Sequence, residues 1–398
     1  MMSGPLSSLK ILDFSTLLPG PFGSMMLADM GADVVRVEAP HRPDIVRFMP
    51  PFDGDASAWH GLLGRSKRSI ALDLKKEAAL DVVKRLVAAD GGGYDIVLEQ
   101  LRPGVMDRLG IGYEALRQVN PSLIYCAVTG YGQTGPLSQR AGHDINYLSL
   151  AGVMSHSGRQ AGGPSPLGIQ VADIGGGAFG AVTGILAAVI HRGQTGEGQL
   201  VDISMFDMSV AWHAHAVSSY LVGGEAPEME SWQLNGGGFY DFYQTKDQRY
   251  LSVGSLEPKF WQGFCQAIQR PDLIPLGLSQ RPEDQRALKM EIQSVIAART
   301  MADWQAIFEP LDVCVEPVLT VPEMAEHPHT AARGMVVEVP KPDGSSQRQI
   351  ASPFKFSGSQ PAYKHVGAAT GAHTEELLHE IGYSEAGIHT LREAGVFG

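Results

Sequence analysis

Length, composition and charge narrow the class of protein. At 398 residues the chain exceeds the usual size of a single core, so two domains are expected. A hydrophobic fraction of 44% with 19% charged residues argues against a disordered chain. The formal net charge of -12 argues against nonspecific binding to nucleic acid, so no nucleic-acid partner is expected.

The compartment is predicted from the cysteines and from the apolar segments. Cys126, Cys265 and Cys314 are isolated in the sequence, which argues against a disulfide framework and favours a reducing cytoplasm. The opening residues MMSGPLSSLK carry no basic region before an apolar stretch, so no signal peptide is expected. The most apolar run, residues 178–190, is shorter than the ~20 residues that cross a bilayer, so no membrane association is expected.

Strands and helices alternate along the first half of the chain. Strand, Gly-Pro turn, helix and strand within ~30 residues indicate parallel pairing with a right-handed crossover. The predicted fold class is therefore α/β, with a doubly wound, Rossmann-like parallel sheet. The predicted strands are 9–14, 32–38, 69–74, 95–99, 123–128 and 199–204, and the predicted helices are 22–30, 77–88, 113–119, 173–191 and 205–221.

A smaller α/β region is predicted after a linker. Residues 222–238 are rich in Gly, Glu, Pro and Asn, as linkers are. The chain is then expected to be rich in loops over 317–357 and to end in helices from residue 374. Between the linker and these loops, strands are predicted near 239–243 and 250–254, and helices near 259–268, 287–299 and 301–309.

A histidine and a carboxylate each lie beside glycine-rich, turn-forming sequence. His143 belongs to Gly-His-Asp-Ile-Asn-Tyr, and Asp173 precedes a run of three glycines. Imidazole and carboxylate together can move a proton on and off carbon, whereas the carboxylate alone can attack an activated acyl group. By themselves, His143 in a turn and Asp173 as a helix N-cap would need no catalytic role. A turn or cap role is also predicted for Asp144.

No metal site is predicted. His213 and His215 are two residues apart, so their side chains diverge on a helix, and no carboxylate motif near them completes a ligand set. The Gly236-Gly237-Gly238 run lacks the lysine pattern of a phosphate-binding loop and gives only a weak signal.

Motifs spread over nearly the whole chain resemble the class III coenzyme A-transferase (CaiB/BaiF) superfamily. The strings that carry the resemblance are Pro19-Gly20-Pro21, Gly31-Ala32-Asp33-Val34-Val35, Lys67-Arg68-Ser69-Ile70, Leu101-Arg102-Pro103-Gly104-Val105, Gly130-Tyr131-Gly132-Gln133-Thr134-Gly135-Pro136 and Pro353-Phe354-Lys355-Phe356-Ser357-Gly358. The resemblance implies an acyl-CoA thioester as the substrate, with no cofactor beyond its coenzyme A. The implied coenzyme A contacts are Lys67, Arg68, Leu72, Asp73, Lys75 and Arg102, with Arg36, Arg42 or Arg47 replacing an arginine that the family often has where this chain has Ala39-Pro40.

Within that superfamily, three residues resemble the α-methylacyl-CoA racemase branch. That branch carries a histidine in Gly-His-Asp-x-Asn-Tyr, an aspartate before a glycine run and a glutamate in Val-Gly-x-x-Glu-Pro, which match His143, Asp173 and Glu257. The resemblance implies interconversion of (R)- and (S)-2-methylacyl-CoA, with Glu257 supporting the imidazole. The alternative is a coenzyme A-transferase that forms an aspartyl-CoA intermediate on Asp173. In the racemase, backbone amides at the start of the helix with Asp173 are expected to bind the enolate oxygen.

The family fold implies an interlocked homodimer. The large domain would be formed by both chain ends, 1–224 and 326–398, and the small domain by 225–325. The active site would lie between the large domain of one subunit and the small domain of the other, so that Glu257 reaches His143 only across the dimer.

Overall fold

The computed structural model describes residues 4–397, and its strands fall into several sheets. The strands are β1 Lys10–Asp13, β2 Asp33–Glu38, β3 Phe52–Asp53, β4 Ala56–Ser57, β5 Arg68–Ala71, β6 Ile96–Glu99, β7 Ile124–Thr129, β8 Gly158–Arg159, β9 Gly163–Pro164, β10 Leu200–Ser204, β11 Asp241–Gln244, β12 Tyr250–Val253, β13 Val315–Pro317, β14 Val336–Pro340 and β15 Ser346–Ile350.

The helices are mostly short. They are α1 Pro19–Asp29, α2 Ala58–Leu63, α3 Glu77–Val87, α4 Val105–Leu109, α5 Tyr113–Val119, α6 Asp144–Leu150, α7 Gly180–Thr195, α8 Met205–Trp212, α9 Ala214–Ser218, α10 Pro258–Ala267, α11 Pro282–Ile296, α12 Met301–Phe308, α13 Val321–Glu326, α14 Pro328–Ala332, α15 Thr374–Glu380 and α16 Glu385–Glu393. Wider π-helical turns cover Val171–Phe179 and Ser219–Gly223. The helix predicted at 205–221 is therefore broken into α8, α9 and the second of these turns.

Six strands form one parallel sheet in the order β10-β7-β6-β1-β2-β5. In chain order this is sixth, fifth, fourth, first, second, third, so the direction of winding reverses between β1 and β6. That arrangement confirms the predicted doubly wound sheet. Ligands of such sheets bind at the carboxyl ends of the strands, at the point where the order reverses. The fold therefore places a ligand site beyond the ends of β1 and β6.

Both faces of this sheet are buried, because neighbouring residues of each strand point to opposite sides. Ile11 and Ile96 lie in a core with α1 and α7 on one face. Leu12 and Val97 lie in the core on the other face, which also contains residues of α3. The C-terminal helices α15 and α16 contribute Leu377, Leu378, Ile388 and Leu391 to this second core, so the end of the chain packs with the sheet formed by its beginning.

One helical run among the described residues is long and apolar enough to cross a membrane. It covers Val171–Thr195, 25 residues, and an 18-residue window within it has a mean hydropathy of 1.7. It is longer than the predicted apolar run because the π-helical turn continues directly into α7. Ala181, Ile185 and Ala188 of this run lie in the core against the sheet. A buried core helix of a soluble protein can be as long and as apolar as a membrane-spanning helix, so this run is weak evidence for a membrane span.

A second compact unit comprises Gly152–Leu167 and His213–Pro328, while the described remainder of the chain forms the first. Its antiparallel sheet has the order β11-β12-β13 and packs with α10–α12. Stacked aromatic rings fill its core, including Trp261, Phe264, Trp304 and Phe308. The unit differs from the predicted range 225–325, because it also takes in residues 152–167 and 213–224. The region predicted to be loop-rich contains α13, α14 and the β14–β15 hairpin.

Candidate active site

A cavity of about 480 Å³ opens at the carboxyl edge of the parallel sheet. Leu17 and Pro19 line it from the segment after β1, and residues 100–103 line it from the segment after β6. It therefore lies at the point where the strand order reverses, as the fold requires. His143 and Asp173 both line this cavity, although 30 positions separate them in the sequence.

The backbone around His143 is fixed by its neighbours on α6. His143 is the N-cap residue of that helix, and its backbone N–H donates to Asn146 Oδ1 at 3.0 Å. The hydroxyl of buried Tyr147 donates to the Gly142 carbonyl at 2.5 Å. A Cβ on Gly142 would lie 2.7 Å from the Tyr147 ring, so glycine is required there. The exposed imidazole makes no hydrogen bond with any residue in 4–397, which leaves it available to a ligand.

Asp173 lies in the first turn of the π-helical segment and is half-buried. Burial, followed by the nearby Asp144 carboxylate, raises its pKa to about 6, and His143 opposes this shift. The glycines after Asp173 allow close helix packing. A Cβ on Gly175 would lie 2.5 Å from Trp212, and one on Gly177 would lie 2.6 Å from Pro19. The lack of a side chain at these two glycines therefore allows α8 and α1 to pack closely against the segment.

Asp144 caps the segment that carries Asp173. Its Oδ1 accepts the backbone N–H groups of Ala172 at 2.7 Å and Asp173 at 3.1 Å, which confirms the predicted cap role. The N–H of Ile174 donates to the Gln170 carbonyl. The prediction that amides at this helix start bind the enolate oxygen is wrong for these three residues, because their N–H groups already have acceptors.

Three of the predicted coenzyme A contacts lie at the carboxyl edge of the sheet. The Arg102 side chain is exposed and lines the cavity with His143. Lys75 is exposed in the turn after β5, where Asp73 Oδ1 accepts its backbone N–H at 3.1 Å. Neither basic side chain has a hydrogen-bond partner in the described part of the chain, so both are available to phosphate groups.

Three other predicted contacts have structural roles instead. Lys67 is buried, and its Nζ donates to the Pro21 carbonyl at 2.8 Å and to Ser24 Oγ at 2.6 Å. Leu72 is fully buried in the core. Arg68 begins β5, at the amino edge of the sheet, where it pairs with Asp33, Glu376 and Glu380. Only the carboxyl ends of parallel strands face the ligand site, and Arg68 lies at the opposite edge.

A second cavity of about 570 Å³ lies at the ends of β1 and β2, and Leu17 and Leu101 line both cavities. Arg36 lines it, but this buried guanidinium is paired with Asp44. Arg47 is held by Glu38 and by the Ala368 carbonyl. Arg42 is exposed in the lining, and its guanidinium bonds to nothing within residues 4–397. Of the three arginines proposed from the sequence, Arg42 is therefore free to bind an anion.

Arg140 is a lining residue that the sequence reasoning missed. Its side chain is exposed on the cavity that holds His143 and Asp173, and it has no bonded partner among the described residues. The only signal in the sequence that Arg140 lies near the site was its position three residues before His143.

Glu257 belongs to the second unit, so this chain's first unit does not contain all three predicted catalytic residues. It is the exposed N-cap residue of α10, and its carboxylate has no hydrogen-bond partner in residues 4–397. Within the same described range, no three or more His, Cys, Asp or Glu side chains are grouped to hold a metal ion.

The chain is thus an α/β protein with a cavity at the reversal point of a doubly wound sheet. A titratable pair in that cavity is suited to acid–base or nucleophilic chemistry, and the exposed cations are suited to an anionic ligand. A family model described as CoA-transferase family III matches residues 6–374. The chain belongs to CoA-transferase family III, an enzyme family whose members act on coenzyme A compounds.

Known proteins of this family are similar to the chain over nearly its full length. It is 36% identical to human alpha-methylacyl-CoA racemase, covering 97% of this chain and 96% of that protein. It is 35% identical to succinyl-CoA:mesaconate CoA-transferase of Haloarcula marismortui, covering 95% and 97%. A CaiB/BaiF family protein from Brucella suis has a similar crystal structure, with a TM-score of 0.81, 28% identity and coverage of 96% and 100%. The sequence identities to the racemase and to the transferase are nearly equal, so they do not separate racemase activity from coenzyme A transfer.

Proposed function

We propose that this protein interconverts (R)- and (S)-2-methylacyl-CoA thioesters by proton transfer at the α-carbon. The observation that carries the proposal is the pairing of the His143 imidazole and the Asp173 carboxyl group in one cavity, with neither side chain engaged in a hydrogen bond within the described residues. The likeness to a protein named alpha-methylacyl-CoA racemase supports the same activity.

The proposed reaction needs a base on one face of the α-carbon and an acid on the other. His143 takes the α-proton, and the electron pair of the broken C–H bond forms an enolate whose charge rests on the thioester oxygen. Protonated Asp173 then gives its proton to the opposite face, which forms the new C–H bond with inverted configuration. A pKa of about 6 leaves roughly a tenth of Asp173 protonated at pH 7, so its carboxyl group can serve as the acid.

Three exposed cations near the carboxyl ends of the strands suit the coenzyme A part of the substrate. Arg42 and Lys75 stand near the ends of β2 and β5, and Arg102 stands at the His143 cavity. Guanidinium and ammonium groups bind phosphate oxygens strongly. We propose that these three side chains bind the phosphates, and that the protein needs no cofactor besides the coenzyme A of its substrate.

Coenzyme A transfer is the alternative function. The Asp173 carboxylate would attack the thioester carbonyl and release coenzyme A as a thiolate, leaving an aspartyl anhydride. The thiolate would then attack the aspartyl carbonyl, which releases the first acid and leaves coenzyme A on Asp173 as a thioester. The likeness to a succinyl-CoA:mesaconate CoA-transferase favours this possibility.

Incubation of a 2-methylacyl-CoA in D₂O, without a carboxylic acid acceptor, separates the two functions. The proposed racemase is expected to incorporate deuterium at the α-carbon, measured by mass spectrometry. Absence of exchange, together with movement of coenzyme A to an added carboxylate, would overturn the racemase proposal.

We also propose a cytoplasmic, interlocked homodimer in which Glu257 of one subunit orients His143 of the other. Co-expression of His143→Ala and Glu257→Ala chains with different affinity tags yields hybrid dimers. One of the two sites in each hybrid then has both residues intact, so the hybrid is expected to show about half the wild-type activity. Each parent homodimer is expected to lose at least about tenfold.

The hybrid experiment has a clear contrary result. If Glu257 supports His143 of its own chain, every site in the hybrid lacks one residue, and the hybrid stays as inactive as its parents. A monomer measured by light scattering would also contradict the dimer.

A further inference from the structure

We infer that Asp144 is a positioning residue for proton transfer, because its carboxylate ties the backbone that carries Asp173 to the backbone that carries His143. The inference rests on the proposed function. Asp144 follows His143 directly and begins α6. Its single oxygen Oδ1 accepts the N–H groups of both Ala172 and Asp173, across a separation of 28 and 29 residues. One side chain thus joins the two segments that hold the proposed acid and base.

The backbone connection matters because the reacting side chains have no other restraint of this kind. No residue within 4–397 bonds to the His143 imidazole or to the Asp173 carboxyl group. Their separation is therefore set by the segments that carry them. Asn146 and Tyr147 fix the His143 segment within α6, but Asp144 reaches from α6 to the Asp173 segment. An error of about 1 Å in such a placement can cost ~100-fold in rate.

Asp144 also places a negative charge beside Asp173. From α6, the titratable groups that face Asp173 are His143, Asp144 and Tyr147, and the cavity adds the cations Arg102 and Arg140. The neighbouring α1 and α8 contribute the uncharged Pro19 and Met205. Loss of the Asp144 charge is therefore expected to lower the pKa of Asp173 from about 6 toward its ordinary value of 3.8.

Two substitutions separate the hydrogen bonds from the charge. Asp144→Ala removes both, and kcat for racemisation is expected to fall about 100-fold, with KM within about threefold of wild type because the phosphate-binding side chains are untouched. Asp144→Asn keeps an oxygen acceptor and is expected to retain kcat within about tenfold of wild type. In Asp144→Asn, the acid limb of kcat/KM is expected to move to lower pH, because the doubly protonated pair loses its first proton more readily.

A remote helix cap provides the control. Ser384 Oγ accepts the N–H of Gly387 at the start of α16, so Ser384→Ala removes a cap without touching the cavity and is expected to leave kcat unchanged. If Asp144→Ala does not fold, the inference is tested by the acid limb of the pH profile of kcat/KM for Asp144→Asn alone. The inference is overturned if Asp144→Ala keeps kcat within about threefold of wild type, or if the acid limb of Asp144→Asn does not move.

Failure of this inference is distinct from failure of the proposed function. If His143→Ala and Asp173→Asn racemise like the wild type, the proposed proton-transfer pair is wrong, and Asp144 has no pair to position. If those two variants are inactive while both Asp144 variants behave like the wild type, only the role of Asp144 is wrong.

Discussion

His143→Ala is expected to lower the rate of racemisation by about 10²–10⁴-fold, because it removes the proposed base for one face of the α-carbon. The KM for acyl-CoA is expected to change little, since Arg42 and Arg102, the proposed phosphate contacts at the two cavities, remain. Asp173 can still remove and return the proton on its own face. One enantiomer is therefore expected to exchange its α-proton with D₂O without inversion, which chiral chromatography with mass spectrometry would show.

The His143 result also separates racemase from transferase. Coenzyme A transfer through Asp173 needs no imidazole, so a transferase would keep most of its activity in His143→Ala. The exposed His191 of α7 supplies a matched control, and His191→Ala is expected to behave like the wild type. Full racemisation by His143→Ala would contradict the proposed role of the histidine.

Asp173→Asn is expected to cause a loss of similar size, about 10²–10⁴-fold, because an amide cannot donate and accept the transferred proton. The side chain keeps nearly the same shape, so the cavity is expected to survive the change. Exchange in D₂O is expected only for the enantiomer whose proton faces His143, which is the opposite enantiomer to that of His143→Ala. The same stereochemical assay measures both variants.

Exchange of opposite enantiomers by His143→Ala and Asp173→Asn is the most specific consequence of a two-base site. Exchange of the same enantiomer by both variants would contradict the placement of His143 and Asp173 on opposite faces. The exposed Asp81 of α3 provides the control, and Asp81→Asn is expected to leave racemisation unchanged.

The parallel sheet was predictable because its strands have a strong local signature. The strands between the sheet's two covered faces are rich in residues such as Ile11 and Val34, and an apolar run bounded by turns indicates such a strand. The cavity residues His143 and Asp173 were also predictable, since each stands beside turn-forming glycines.

The partners of the basic residues were not predictable, because they come from distant parts of the chain. Lys67 meets Asp13, 54 positions away, and Arg68 meets Glu376, 308 positions away. No local pattern distinguishes a cation that will be buried in such a pair from one that will remain free, as Arg42 does. The sequence also does not show that Arg68 begins its strand at the edge opposite the ligand site.

The extent of the second unit depends on similar long-range contacts. Residues 152–167 are short in apolar side chains and have no core pattern of their own. Arg159 nevertheless pairs with Glu230 and Asp241, which attaches this hairpin to the second unit. The π-helical turn at Asp173 was missed for another reason, because an apolar periodicity of 3.6 residues does not reveal a local widening of the helix.

We propose that the chemistry of this site is inversion at carbon, in which one residue of the His143–Asp173 pair removes the α-proton from one face and the other delivers a second proton to the opposite face. The most direct measurement starts from one enantiomer of a 2-methylacyl-CoA in D₂O and follows configuration and deuterium content together over time. Formation of the other enantiomer is expected, with deuterium entering at the α-carbon and no acceptor acid required. Retention of configuration with no α-deuterium, while coenzyme A moves to an added carboxylate, would contradict it.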